Sequence, residues 1–242
     1  YMSLLYNIFM TFMFVFAHPD DESFSSGGTI AQLAKKGEKV ILVTATKGER
    51  GQLGDPPIAS KKNLGKTREK ELENAAKILG ISSILFLNFI DGTLQDHADS
   101  LRKKILEIFI KKSPDVVVTF DRHGGSNHPD HKTISRSTTE SFENYMRRSK
   151  KHVHLYHTAV PRSYLKKYEK SGLTYIAFGK MKGTPDEDIT TVVDIRNTYD
   201  LKVKALQMHK TQKKDVERFL KRSSVVDLKK EFFELIYENS IE

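Results

Sequence analysis

Cysteine is absent from the 242 residues. No disulfide can form and no thiolate can hold a metal, so any metal site must be built from nitrogen and oxygen ligands. The same absence agrees with a reducing compartment, and the cytoplasm is the default expectation. No apolar run reaches the ~20 residues that a membrane-crossing helix needs. The most hydrophobic stretch, "YMSLLYNIFMTFMFVF" (1–16), lacks the basic start and small-residue cleavage site of a secretory leader. Residues 10–17 are therefore read as a buried strand. Repeats, low-complexity tracts and a clear domain boundary are also missing. One domain over 1–242 is expected, with 10–145 forming its core and 150–242 completing the rim of a site. No stretch interleaves aromatic and basic residues as a nucleic-acid stacking surface would. The 40 Lys+Arg against 31 Asp+Glu, a formal +9, are dispersed and mainly solubilise the chain. The nearest approach, "RSYLKKYEK" (162–170), reads as an amphipathic helix. No nucleic-acid partner is expected, with a nucleic-acid-binding protein or phosphodiesterase kept as the alternative of a different class, and the sequence leaves a homo-oligomer open.

What is present is a rhythm. Apolar runs of strand length, "FMFVFA" (12–17), "KVILVTAT" (39–46), "SILFLNF" (83–89) and "DVVVTF" (115–120), alternate with helical patterns. The helices fall at 23–37, 63–80, 100–112 and 129–147. Three glycines and two prolines make 47–61 a loop. Strands separated by helices of this length predict βαβ units. The fold expected is thus α/β, a Rossmann-like, mostly parallel sheet with helices on both faces. Beyond 150 the rhythm weakens, leaving strands near 152–160 and 188–195 and a helix at 197–210. In such sheets ligands bind beyond the carboxyl ends of the strands. His18 to Glu22, Lys47 to Gly54, Asp91-Gly92 and Asp121 to His131 all follow strands, so the polar clusters share that C-terminal edge.

Two of these clusters repeat a motif, "HPDD" at 18–21 and "HPDH" at 128–131. Pro19 and Pro129 disfavour helical geometry at the preceding histidines. Pro129 also suits a first helical position, which puts Asp130 and His131 in a first turn. Imidazoles and carboxylates at one edge can hold zinc with open positions for water and substrate, and the same set suits Fe(II). Carboxylates alone would suggest Mg²⁺ and phosphoryl transfer; the histidines favour the first reading. Taken singly, each motif is an ordinary turn. Two at one sheet edge are not. Spacing does not say which aspartate would face the metal and which its water.

At these residues the chain resembles the PIG-L/LmbE family of metal-dependent de-N-acetylases. The matching pieces are "AHPDDES" (17–23), "TKGERG" (46–51), "TREKELENAAKILG" (67–80), "DGTL" (91–94), "VVTFDRHGGSNHPDH" (117–131) and "KALQMHKTQ" (204–212). The resemblance implies His18, Asp21 and His131 as zinc ligands, Asp20 as the general base, and His128 as the group that stabilises the oxyanion and later protonates the amine. It implies that Asp130 orients an imidazole, that Arg68 holds sugar hydroxyls, and that Glu49 and Ser126 lie at the substrate. Ser126 stands where some bacterial members carry tyrosine. The reaction implied is hydrolysis of an N-acetyl group on an N-acetylglucosamine-type conjugate. An amidase acting on a thiol-sugar conjugate is the alternative, and a catalytically silent member is disfavoured by the intact acid and imidazole set. His123 is expected to line the site, His209 to pack beneath it, and His97, His152, His154 and His157 to be surface or packed residues.

Overall fold

A computed structural model describes residues 9–174 and 177–239. In chain order the elements are β1 (Thr11–Phe16), α1 (Asp21–Lys35), β2 (Lys39–Thr46), α2 (Leu64–Leu79), β3 (Ser83–Phe89), α3 (Ala98–Lys112) and β4 (Val116–Phe120). A single turn, α4 (Gly124–Asn127), then leads into α5 (Pro129–Met146), β5 (His154–Ala159), α6 (Arg162–Lys170), β6 (Thr191–Asp194), α7 (Tyr199–Met208), α8 (Lys213–Lys221) and β7 (Lys230–Glu238). The seven strands form one sheet in the order β3-β2-β1-β4-β5-β7-β6. The first five are parallel, and β7 runs antiparallel to both β5 and β6.

The continuous apolar runs have their expected cause. Every residue of β4 is buried, as are all but the first of β2. Strands covered on both faces have no solvent side on which to place alternating polar residues. Contacts of α1 with α2 and α7 place these helices together on one face, and α3 packs with α5 on the other. Phe14, Phe16, Phe109 and Phe142 are fully buried at the centre. No helix among the described residues is long and apolar enough to cross a membrane. The reading of 1–16 as something other than a leader rests partly on residues 1–8, which lie outside the described residues.

Winding proceeds outward from β1 to β2 and β3, then returns to the other side of β1 through β4. The β1/β4 boundary is therefore the point where the order reverses, and there the loops after adjacent strands part to leave a crevice. The loop after β1 carries His18 and Asp20, and the loop after β4 carries His128.

The C-terminal third was the least legible part. The expected strands and helix near 154–159, 191–194 and 199–208 are present, and 162–170 is a helix as read. Helix α8 and strand β7 were not anticipated. β7 inserts between β5 and β6, so that His154 pairs with Glu238, 84 residues away in the chain. Nothing local in the sequence encodes such a partner.

Candidate active site

At the end of β1 the chain turns through Asp20 with φ of 104°, a conformation uncommon for a residue with a side chain. Two contacts hold it there. The Asp20 N–H donates to Glu22 Oε2 at 3.1 Å, and Arg68 donates to Asp20 Oδ2 at 2.9 Å. α1 begins at Asp21, whose Oδ2 accepts the N–H groups of Ala17 and His18 at 3.1 and 2.8 Å. Across the crevice, Asp121 Oδ1 accepts from the His123 and Gly125 amides at 2.7 and 3.1 Å and shapes the loop after β4. Gly124 in that loop has φ of 69°, and a Cβ on it would lie 2.5 Å from the Cβ of His131. Only glycine allows this approach, which sets the Gly124 carbonyl 3.0 Å from His131 Nδ1. Pro129 opens α5 as anticipated, with His128 capping it.

These turns bring three donors together. His18 Nδ1 lies 3.1 Å from His131 Nε2, His131 Nε2 lies 3.3 Å from Asp21 Oδ1, and His18 Nδ1 lies 3.8 Å from Asp21 Oδ2. The protons can be assigned from the far side of each ring. His18 Nε2 faces Asp91 Oδ1 at 3.0 Å and Asp130 Oδ2 at 3.2 Å, both acceptors, so it carries a hydrogen. His131 Nδ1 faces the Gly124 carbonyl and carries one too. The remaining lone pairs then point at each other, and only positive charge between them makes that arrangement favourable. A tetrahedral centre with bonds of about 2.0–2.2 Å places its ligand atoms about 3.3–3.6 Å apart. The observed spacings lie within a few tenths of an ångström of that range, so the donor set fits a small divalent ion.

Two other groupings share His18, one with His128 and His131 and one with Asp91 and Asp130. The second sits on the Nε2 side, where Asp130 already accepts the Gly92 and Leu94 amides at 2.6 and 3.1 Å. In the first, His128 Nδ1 accepts the Asp130 N–H at 3.1 Å. That leaves Nε2–H of His128 as a hydrogen-bond donor and makes it a poor ligand.

The electrostatics agree. Burial opposes charge on His18, but hydrogen bonds to Asp130 and Asp91 override it and raise the imidazole to about 10. Burial, followed by the His131 and His18 charges, holds His128 down at about 3, so it is neutral near pH 7. Burial pushes Asp20 well above the usual carboxylate range, with the Arg68 guanidinium pulling the other way.

Most residues singled out from the sequence gather here. His18, Asp20, Asp21, Arg68, Ser126, His128 and His131 line one cavity of about 670 Å³. Arg68 is only 3% exposed and donates to Asp20, to the Pro19 carbonyl and to the Gly48 carbonyl. It pairs with neither Glu71 nor Glu73, which bond Thr211 and Lys70 instead. A Cβ at Gly48 would fall 2.2 Å from the guanidinium, so the glycine makes room for it. Ser126 Oγ lies 3.3 Å from His131 Nδ1. Glu49 accepts the Asp91 and Lys47 amides and does not line the cavity. Asp130 is fully buried behind His18.

His123, expected to line the site, does not; it accepts from Arg122 instead. His157 is packed against Thr139 as read. His209 does lie beneath the site, fully buried, 3.1 Å from Glu22 Oε1. Glu22 in turn holds the Asp20 amide, so this pair braces the turn of Asp20. Asp91, 3.0 Å from His18 Nε2, is a site residue to which the histidine motifs do not point. Its signal was its place directly after β3 in "DGTL", at the same edge as the other clusters.

The family model "PIG-L: GlcNAc-PI de-N-acetylase" matches residues 13–142. A 1D-myo-inositol 2-acetamido-2-deoxy-alpha-D-glucopyranoside deacetylase from Saccharomonospora viridis is 33% identical, over 83% of this chain and 84% of its own. Among solved structures, an N,N'-diacetylchitobiose deacetylase from Pyrococcus horikoshii superposes with TM-score 0.68 at 25% identity, covering 94% of this chain and 84% of its own. A 4-carboxy-2-hydroxymuconate hydratase from Pseudomonas putida also reaches 0.68, at 19% identity, covering 96% of this chain and 98% of its own. That likeness is one of fold alone, and it shows that the scaffold by itself does not name a reaction. With the matched model spanning both histidine motifs and the relative aligned over most of its length, the chain belongs to the PIG-L family of de-N-acetylases.

Proposed function

We propose that the protein is a metal-dependent hydrolase that removes the N-acetyl group from an N-acetylglucosamine-type conjugate. His18, Asp21 and His131 would hold the ion, with zinc the first choice and Fe(II) or another divalent transition metal the alternative. The observation that supports this most is the convergence of two imidazole lone pairs and a carboxylate beside a buried, uncoordinated aspartate. When bound, such an ion supplies a Lewis acid for the amide carbonyl and lowers the pKa of a water from about 15.7 toward about 7.

The chain's own groups do the rest. Asp20 accepts a proton from the attacking water, and its raised pKa places it near the working pH of a general base. His128 presents Nε2–H to the carbonyl oxygen as negative charge develops there. It remains neutral while Nδ1 holds the Asp130 amide, which suits hydrogen-bond donation better than the acid role expected for it. Asp20 is then the group that returns the proton to the nitrogen as the C–N bond breaks. The amide and water become acetic acid and the free amine, with no proton gained or lost by the protein, and near pH 7 the released acid ionises to acetate. Asp130 and Asp91 fix the tautomer and direction of His18. Arg68 holds Asp20 and lines the cavity, where it also remains our choice for contact with the sugar; Ser126 lines the same wall.

We take the chain as one domain, because a single sheet runs through it and β7 closes against β5. The cytoplasm remains the proposed location. A cavity of about 670 Å³ favours a conjugate over a free monosaccharide, which keeps the thiol-sugar amidase as a second reading. The test is metal analysis paired with amine release across a panel of N-acetylated sugars. About one ion per chain, lost in His131→Ala, and a free amine from at least one sugar are expected. Metal-loaded protein that releases no amine from any of them would reject the reading.

A further inference from the structure

At the edge of the sheet opposite the active site, two histidines that the chemistry does not use lie beside a carboxylate. His152 and His154 stand two residues apart at the entry to β5, a spacing that turns both side chains to one face of an extended chain. The antiparallel register sets Glu238, at the end of β7, directly opposite His154. His154 Nε2 is 3.0 Å from Glu238 Oε1. One ligand atom from each of the three residues lies within 4.8 Å of the other two.

The backbone beneath them is fixed. Asn239 Oδ1 accepts the Val153 N–H at 2.8 Å, and Asn239 Nδ2 donates to the Lys151 carbonyl at 3.2 Å, so one side chain clamps the segment that carries both histidines. Val153, between them, is buried on the other face. The rings are ordered as well. His152 lies over His154 with 6.0 Å between ring centres and 22° between planes, and His154 lies over Tyr156 at 6.4 Å and 23°. Lys151, the adjoining cation, is held by Asp115 at 2.6 Å and does not compete for Glu238.

A hydrogen bond from His154 to Glu238 accounts for two of these residues and leaves the third unexplained. His152 has no hydrogen-bonding partner among the described residues, yet its ring is held parallel to its neighbour. Two imidazoles and a carboxylate are a donor set for divalent transition ions, Zn²⁺ foremost, with water completing the shell. His154 Nδ1 is buried, so Nε2 is the atom free to ligate. Nδ1 must then carry the ring hydrogen without an acceptor, which lowers affinity. His152 and Glu238 are exposed, so their side chains can adjust to the spacing of about 3.3–3.6 Å that a tetrahedral shell requires.

We propose that His152, His154 and Glu238 form a second divalent-cation site, separate from the catalytic centre, that fastens the end of β7 to the start of β5. The six residues of β5, at about 3.3 Å each, put it roughly 20 Å from the catalytic edge. β7 seats Glu231 against the Gly28 and Thr29 amides of α1 and contributes Phe232 to the cavity wall. An ion at its far end therefore secures a strand on which the active site depends. The site requires no assumption about the reaction.

The experiment is a calorimetric titration of Zn²⁺ into chelator-stripped wild type, His131→Ala, His152→Ala and Glu238→Gln. Wild type should take up two ions, the weaker with a Kd of about 1–100 μM, because three ligands at an exposed site hold it. An ion bound this weakly is lost on dialysis, so purified protein retains the inner one alone. His131→Ala should lose the tight ion and keep the weaker. His152→Ala and Glu238→Gln, both at exposed positions, should keep the tight ion and weaken the other by about tenfold or more. In the His131→Ala background, Zn²⁺ at about ten times that Kd should raise Tm by about 3–6 °C, and adding Glu238→Gln should abolish the rise. A single ion per wild-type chain, or weak uptake unchanged in either exposed variant, overturns the second site. Loss of both ions in His131→Ala would assign the second to the inner end and overturn it likewise. Retention of both in His131→Ala would count against the catalytic metal assignment and leave this site standing.

Discussion

The two ends of the cavity are built on opposite principles. At the inner end the acids and imidazoles are interlocked: His18 between Asp91, Asp130 and His131, and Asp20 between Arg68 and the Glu22 carboxylate. Such an arrangement is rigid, and it fixes groups that must meet one reacting carbon. At the outer end, aromatic faces and the Arg222 guanidinium stacked on Tyr168 line the wall. That surface can distinguish ligands without taking part in bond making. Chemistry needs satisfied, preorganised polar groups, whereas selection can be left to surfaces completed by the ligand.

Substitutions should separate these roles. Asp20→Asn is expected to cause the greatest loss, about 10²–10⁴ in kcat on every substrate, with metal content retained because a base and not a ligand is removed. Metal loss in that variant, or kcat within a few-fold of wild type, would break the assignment. Lys202→Met tests the joint between the two ends. It leaves Glu231 buried without its counter-charge while Glu231 still grips α1, and should cost about 3–5 kcal/mol in denaturant unfolding. A loss below about 1 kcal/mol would mean that β7 and α7 are held by packing alone.

Asp91→Asn should weaken metal binding by about 10- to 100-fold in a chelator competition, since it removes one of two carboxylates that orient His18. Unaltered affinity would leave that task to Asp130. The smallest effect expected is a shift in pH dependence. Asp20 must be ionised to accept a proton, so kcat/KM should fall as pH drops through about 7. Arg68 favours the ionised form, so Arg68→Met should move this acid limb to higher pH. A limb that stays in place or moves lower would show that the guanidinium does not tune the base.

The inner end was largely legible in the sequence because its determinants are local. A buried parallel strand ends where its apolar run ends, and the residues that follow are bound to appear at the sheet edge; "AHPDD" and "NHPDH" needed no further information. Asp91 followed the same logic but lacked a histidine to draw attention to it. Arg68 could be placed on its helix, yet its buried partners could not be foreseen, since Gly48 and Pro19 approach it from other loops.

The sequence by itself determined the alternating α/β plan, the edge at which chemistry would gather and the residue types available there, because strand burial and turn formation depend on near neighbours. Only the tertiary structure decided that His18 Nδ1 and His131 Nε2 face one another at 3.1 Å, that Glu22 and His209 brace Asp20, and that Arg222 stacks on Tyr168. Those facts depend on pairings between distant segments, above all the placement of β7 between β5 and β6. Distant pairings are selected by the packing of the whole core and not by the local pattern of any segment.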